Sequence, residues 1–254
     1  MADSKLDLSG KTVLITGGSR GLGKAIALAM AGQGAKIAVC GRKQEALDEA
    51  LKEFEEAGFD AMGYRADVGK SDQVKALFEA VIDRCGGLDI LVNNVGTNVF
   101  TPSVAEAEEG LWDKMMQTTL KSAFLTSARA AGIMKERGGG KIINISSIAA
   151  RKAAPGMGLY CIAKAGLEML TRVLAAELAR DGIRVNAVAP GMVRTQFSRP
   201  LWSNEAMLKE YLKGVPLGRI AETEDVVGAV LFLASPLSDY ITGEIITVDG
   251  GSSA

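Results

Sequence analysis

Tyr160 and Lys164 stand four residues apart at the start of a stretch with helical periodicity, so a phenol and an ammonium share one helix face. Ser147 ends an apolar run thirteen residues earlier. The chain has no histidine at all, so any acid–base work must fall to tyrosine, lysine, aspartate, glutamate or cysteine. That absence removes Ser-His-Asp and Cys-His nucleophiles, imidazole-held metals and imidazole proton shuttles together. A Y-x-x-x-K pair alone is cheap, on the order of half an occurrence per chain of this composition, and also describes a surface tyrosine beside a salt-bridging lysine. Its company makes it specific.

The first part of that company is Thr16-Gly17-Gly18-Ser19-Arg20-Gly21-Leu22-Gly23, between a β-branched run and a helical pattern. Gly17 permits a tight turn, Gly21 lets backbone approach a pyrophosphate, and Gly23 lets helix and strand pack closely. The helix amino terminus then offers free N–H groups to an anion. The spacing is G-x-x-x-G-x-G and not G-x-G-x-x-G, and by itself such a turn could be a packing device. After the second apolar run come Cys40-Gly41-Arg42-Lys43, with no acid. A ribose 2′-hydroxyl calls for a carboxylate at this place, a 2′-phosphate for arginine. Arg20 and Arg42 could hold that phosphate by charge-assisted, bidentate bonds, or could be solvated surface charges. The expected cofactor is NADP(H).

These residues need a scaffold that alternates strand and helix. Apolar runs at 12–16, 36–40, 61–66, 88–92, 141–146, 183–188 and 244–248 read as strands. Helical patterns fill 43–57, 71–85, 111–137, 158–181 and 222–234. The expectation is one Rossmann-like α/β domain over residues 1–254, a doubly wound parallel sheet of about seven strands with helices on both faces. Residues 195–219 break the rhythm: Pro200 and Pro216 bracket an amphipathic piece with Phe197, Leu201, Trp202, Met207 and Tyr211 near it. Placed beyond a strand's carboxyl end, the segment reads as a lid over an apolar substrate, or as a plain surface helix pair.

Composition narrows the function further. With 29 basic and 30 acidic residues, the net charge of −1 points to neither nucleic acid nor an anionic membrane. Cys40, Cys85 and Cys161 form no C-x-x-C pair, so no metal centre or dithiol is expected and a reducing compartment is. The stretch MADSKLDLSGK is polar, unlike a leader peptide, and no apolar run is long enough to span a membrane. A cytoplasmic location is expected.

Taken in order, the motifs resemble the short-chain dehydrogenase/reductase family along essentially the whole chain. They are Thr16 to Gly23, Asp67-Val68, Asn93-Asn94-Val95-Gly96, Asn144-Ile145-Ser146-Ser147, Tyr160 with Lys164, and Pro190-Gly191-Met192-Val193-Arg194-Thr195. The resemblance implies that Tyr160 gives its proton to a substrate carbonyl as hydride arrives from the nicotinamide. A free tyrosine titrates near 10, so it needs the nearby charge of Lys164, which would also hold the nicotinamide ribose. Ser147 would orient the reacting oxygen. Gly17, Ser19, Arg20, Gly21, Leu22 and Gly23 would hold the cofactor's phosphates. Asp67 and Val68 would meet the adenine, and Asn94 and Gly96 the cofactor's middle. Pro190, Gly191, Val193 and Thr195 would fix the carboxamide end.

One position departs from the family. An asparagine usually stands 28 residues before the serine, bending the long helix and anchoring a water that leads to lysine; here it is Thr119. Its hydroxyl can still donate and accept, with less reach than an amide. The family fixes the reaction type: a small-molecule ketone or aldehyde is interconverted with its alcohol. Asn94-Val95-Gly96-Thr97-Asn98 is similar to tropinone-reductase-like members, and the carboxyl-terminal part to peroxisomal-type carbonyl reductases, although the chain ends Ser252-Ser253-Ala254. The alternative is a 3-oxoacyl-carrier-protein reductase, whose acidic partner needs a basic landing patch. Arg137, Arg151 and Lys152 could contribute to one, while Asp181 stands where that reductase tends to carry arginine. A third reading, prompted by Thr119, is a low-turnover NADP-binding regulator or scaffold. The resemblance also implies a homo-oligomer, a tetramer built partly through the helices at 111–137 and 158–181.

Overall fold

The computed structural model describes residues 6–254; residues 1–5, where the polar amino-terminal stretch begins, lie outside the described residues. The strands are β1 (Thr12–Thr16), β2 (Lys36–Gly41), β3 (Ala61–Arg65), β4 (Ile90–Asn93), β5 (Gly140–Ile145), β6 (Ile183–Pro190) and β7 (Ile245–Val248). They form one parallel sheet in the order β3-β2-β1-β4-β5-β6-β7. The order reverses between β1 and β4, and the crevice beyond the carboxyl ends of those two strands is where such sheets bind ligands.

Side chains alternate along each strand, so the central strands feed two cores. Val13, Ile15, Ile37 and Val39 face helices α1 (Gly21–Gly32), α2 (Gln44–Glu56) and α9 (Thr223–Ala234). Leu14, Ala38, Cys40 and Leu91 face α3 (Ser71–Cys85), α5 (Ser122–Glu136) and α6 (Gly158–Leu178). Burial on both faces explains why these strands are continuously apolar. Helix α4 (Glu109–Met116) leads into α5, and α7 (Arg199–Trp202) and α8 (Glu205–Leu212) lie in the segment between β6 and α9.

The pattern at 111–137 predicts one uninterrupted helix. The structure instead inserts a π turn, Gln117–Lys121, between α4 and α5. The wider turn frees carbonyls of the ladder, and Ser122 Oγ donates to Thr118 O at 2.6 Å to satisfy one of them. Gly166 of α6 lets the turn pack closely, since a Cβ there would stand 2.9 Å from Leu120 Cδ2. The helix expected over 158–181 ends at Leu178 and tightens through a 3₁₀ turn, Ala179–Asp181, before Gly182.

Candidate active site

Helix α6 brings Tyr160 and Lys164 to the carboxyl end of β5, where Ser147 leaves the strand. Lys164 Nζ donates to Ile145 O at 2.6 Å and lies 5.7 Å from the Tyr160 ring centroid. Ser147 Oγ accepts from Ala149 N at 3.2 Å, which fixes the turn after the strand. Burial pushes the Tyr160 phenol up to about 12, against a hydrogen bond to Ser147 that pulls it down. Burial pushes the Lys164 ammonium down to about 8. Among the described residues Lys164 has no carboxylate partner, so its charge is free to act on a developing phenolate beside it.

Thr119 occupies the π turn and is fully buried. Its hydroxyl faces Met115 Sδ at 3.9 Å and makes no hydrogen bond to Tyr160, Lys164 or Ser147. The structure therefore does not bring this side chain into the catalytic group. The helix distortion attributed to an asparagine exists without one, with Ser122 and Gly166 packed at the turn.

The glycine turn is held from β4. Asn94 Nδ2 donates to Thr16 O at 3.1 Å and to Gly17 O at 3.2 Å, and Asn94 N donates to Thr16 Oγ1 at 3.0 Å. Asn94 thus spends its amide on the turn itself. Gly17 has φ 67°, and a Cβ on Gly23 would come within 2.5 Å of Asn94 Nδ2. Only glycine fits either place. Gly18 N donates to Cys40 O at 3.2 Å, tying the turn to β2. Arg20 caps the start of α1 and Arg42 follows β2; both are exposed, and neither guanidinium has an ion pair or hydrogen bond among the described residues. Asp67 Oδ1 accepts from Gly69 N at 3.0 Å beyond β3, with buried Val68 between them. Gly96 is open toward Lys164: a Cβ there would lie 3.6 Å from Nζ. These groups fit a dinucleotide, with a cradle that side chains would fill, a free helix terminus for phosphate and two unpaired guanidiniums near the second strand.

A buried polar ladder beneath the site escaped the sequence reading. Asn93 Nδ2 donates to Asn144 Oδ1 and Ser127 Oγ, both at 2.9 Å, and its Oδ1 accepts from Thr126 Oγ1 at 2.6 Å. Asn144 Nδ2 donates to Thr171 Oγ1 at 2.9 Å. The ladder runs from α5 across β4 and β5 to α6, fixing the strand that delivers Ser147. Its signal was present: an asparagine inside an apolar strand must find partners.

The segment at 195–219 closes on itself at its base. Val193 pairs with Ala221 as a parallel bridge, with Arg194 N donating to Ala221 O at 2.8 Å and Ala221 N to Met192 O at 2.9 Å. Within it, Trp202 Nε1 donates to Thr195 O at 3.1 Å and Arg194 lies over the Trp202 ring. Ser198 Oγ donates to Val193 O, and Thr195 N to Ser198 Oγ at 3.2 Å. From α8, Tyr211 OH accepts from Met192 N at 2.9 Å and packs against Gly191, which follows Pro190. Phe197 reaches the Tyr160 ring, so this segment borders the Ser147–Tyr160–Lys164 group.

Of the three basic residues considered for an acidic carrier, Lys152 is exposed beside Arg151, and the other two are engaged elsewhere. Arg137 pairs with Asp89 and donates to Gly86 O at the amino end of the sheet, about 20 Å along β5 from Ser147 by strand rise. Arg151 is engaged with Glu168, Thr247 and Ile245. Asp181 pairs with Lys135 at 2.8 Å.

Comparison with known proteins agrees with this geometry. A family model described as enoyl-(acyl carrier protein) reductase matches residues 17–253. A tropinone reductase homolog of Arabidopsis thaliana is 41% identical over 250 residues, 98% of this chain and 94% of that one. The human dehydrogenase/reductase SDR family member 4 is 38% identical over 245 residues, 96% and 88% of the two chains. A gluconate 5-dehydrogenase from Burkholderia cenocepacia, solved in complex with NADP and tartrate, superposes with a TM-score of 0.95 at 35% identity, covering 100% of this chain and 99% of that one.

Proposed function

The chain belongs to the short-chain dehydrogenase/reductase family, an oxidoreductase family that uses a nicotinamide cofactor, and from that premise we propose that it interconverts a ketone or aldehyde and its alcohol with NADP(H). The observation that carries this reading is the convergence of Ser147, Tyr160 and Lys164 at the carboxyl end of β5. When bound, the nicotinamide supplies or accepts the hydride. Tyr160 passes its phenolic proton to the substrate oxygen, and Ser147 orients that oxygen by a hydrogen bond. Lys164 stabilises the phenolate that results, because its unpaired charge is buried beside the ring. Arg20 and Arg42 would hold the 2′-phosphate, since no carboxylate follows β2 to take a 2′-hydroxyl.

Several features support an apolar, compact carbonyl substrate over an acyl chain on an acidic carrier. Phe197 borders Tyr160, Val99, Met157 and Ala149 pack around Tyr160 and Leu159, and Arg137 and Arg151 are engaged within the protein. Self-association is part of the proposal. Trp112 of α4, Phe124 of α5 and Ile162, Met169 and Val173 of α6 are exposed apolar residues on the two long helical segments, suited to a second copy of the same face and to a tetramer. Three unpaired thiols suit a cytoplasmic location, and no described helix is long and apolar enough to cross a membrane.

The test is a panel of ketones, aldehydes and alcohols with NADPH, NADH and their oxidised forms, read at the nicotinamide absorbance. Turnover with NADPH preferred is expected. NADPH binding with no turnover on any carbonyl would favour the regulator reading and overturn this one.

A further inference from the structure

Helix α6 carries a third ionisable residue on its catalytic face. Tyr160, Lys164 and Glu168 follow one another at four-residue spacing, with Thr171 three further on. All four are buried, and Glu168 is the only acid among them. Its carboxylate is taken up from two directions. Ser146 Oγ donates to Glu168 Oε1 at 3.4 Å, and Arg151 Nε donates to Oε2 at 3.1 Å. Arg172 approaches Oε2 at 3.6 Å from within the same helix. Ser146 precedes Ser147 and Arg151 follows it by four residues, so one carboxylate grips the chain on both sides of the serine. Arg151 extends the grip to the edge strand: Nη1 donates to Thr247 Oγ1 at 3.0 Å and Nη2 to Ile245 O at 3.4 Å, both on β7.

We propose that Glu168 is a positioning residue, clamping the segment 146–151 onto α6 so that the Ser147 hydroxyl stays registered with Tyr160. The proposal rests on the catalytic reading of Ser147 and Tyr160 given above. Ser147 sits at a strand end in an irregular turn, and such turns move unless held. Tyr160 sits on a helix. Their relative placement must be kept to a fraction of an ångström for proton transfer, and misplacement by about 1 Å can lower a rate on the order of a hundredfold. Glu168 is on the helix that carries the acid and holds both flanks of the turn that carries the serine. The planar guanidinium of Arg151 reaches three acceptors at once, an arrangement lysine cannot copy.

The experiment compares Glu168→Gln, Arg151→Ala, Arg151→Lys, the double variant and Arg172→Ala in the full chain. Glu168→Gln keeps the side-chain shape and removes the charge. Hydrogen–deuterium exchange at residues 146–152 is expected to rise in Glu168→Gln and Arg151→Ala, with α6 unchanged. Turnover is expected to fall roughly ten- to a hundredfold in kcat, with KM for the carbonyl and affinity for NADPH nearly unchanged. Arg151→Lys should not rescue, and the double variant should lose little beyond either single one. Arg172→Ala, which ties no loop, should keep kcat within about twofold. No rise in exchange at 146–152 would overturn the clamp, and an unchanged kcat would overturn its role in positioning. Absence of turnover in the unaltered protein counts against the oxidoreductase reading, and the exchange result then decides the clamp by itself.

Discussion

The ring of Phe197 stands over that of Tyr160, with centroids 6.1 Å apart and planes inclined by 45°. The two residues come from different parts of the chain, one from the segment beyond β6 and the other from the first turn of α6. An aromatic pair of this kind contributes about 0.5 to 1.5 kcal/mol beyond its buried area. Phe197→Ala should therefore lower kcat/KM for apolar ketones by roughly two- to tenfold, mainly through KM, while small polar carbonyls are less affected. A substrate series of increasing bulk, measured with both proteins, checks this; equal losses across the series would remove Phe197 from substrate contact.

Tyr160→Phe keeps the ring and removes the proton. Turnover should fall by about 10² to 10⁴, the usual worth of general acid catalysis, while NADPH affinity stays close to that of the unaltered protein. Fluorescence titration of NADPH alongside steady-state rates separates the two effects, and a near-normal rate would mean that another group supplies the proton.

Arg42→Ala removes one unpaired guanidinium after β2. Loss of a charged hydrogen bond costs about 1.5 to 3 kcal/mol, so affinity for NADPH should fall roughly ten- to a hundredfold. Affinity for NADH should hardly change. Dissociation constants for the two cofactors, each with both proteins, give the answer, and equal affinities in the unaltered protein would contradict the assignment.

Lys164→Met should abolish turnover and raise stability. Lys164 titrates at about 8 when folded, against an ordinary value of 10.5. The unfolded chain therefore binds more protons between those values, and stability rises with pH across that window. Below it, the buried ammonium is a destabilising charge that methionine removes. The gain in Tm should be present at pH 7 and should shrink as pH rises from about 8 toward 10.5. A Tm difference independent of pH would show that charge is not its origin.

Thr119→Val tests the departure from the family. Valine keeps the shape and loses the hydroxyl. Because that hydroxyl faces Met115 Sδ, kcat should stay within about twofold and the pH profile should be unchanged. A loss of several-fold, or a shifted profile, would put the hydroxyl back into proton transfer.

The parts of the site legible in the sequence are those whose chemistry demands particular residue types at short range. The Gly17–Gly23 turn and the Tyr160–Lys164 spacing are of this kind, and so is the strand–helix alternation that gives the seven-stranded sheet. What was hidden depends on partners far along the chain. The π turn is accompanied by the Ser122 hydrogen bond and by the space at Gly166, neither of which marks a helix break by type. The sequence places Asn94 beside the cofactor and does not show that its amide also holds Thr16 and Gly17. Arg137 and Arg151 look alike in sequence, but one lies below the sheet and the other reaches across to β7. The four-residue spacing places Glu168 on the face of Tyr160 and Lys164, but its partners become visible only with the return of the chain at 146–151.

The short bridge between Val193 and Ala221 has a consequence for how this scaffold can change. It works like a clasp: whatever the chain does between them, the two ends of the segment are held side by side just beyond β6. Changes in the outer part of the segment, away from Thr195, Phe197 and Tyr211, can be absorbed there while the contacts to the end of β6 and to Tyr160 on α6 are kept. The segment is in that sense a cassette, a tool head on a fixed handle. Grafting the corresponding stretch from a relative, cut at the clasp, would show whether substrate preference travels with it.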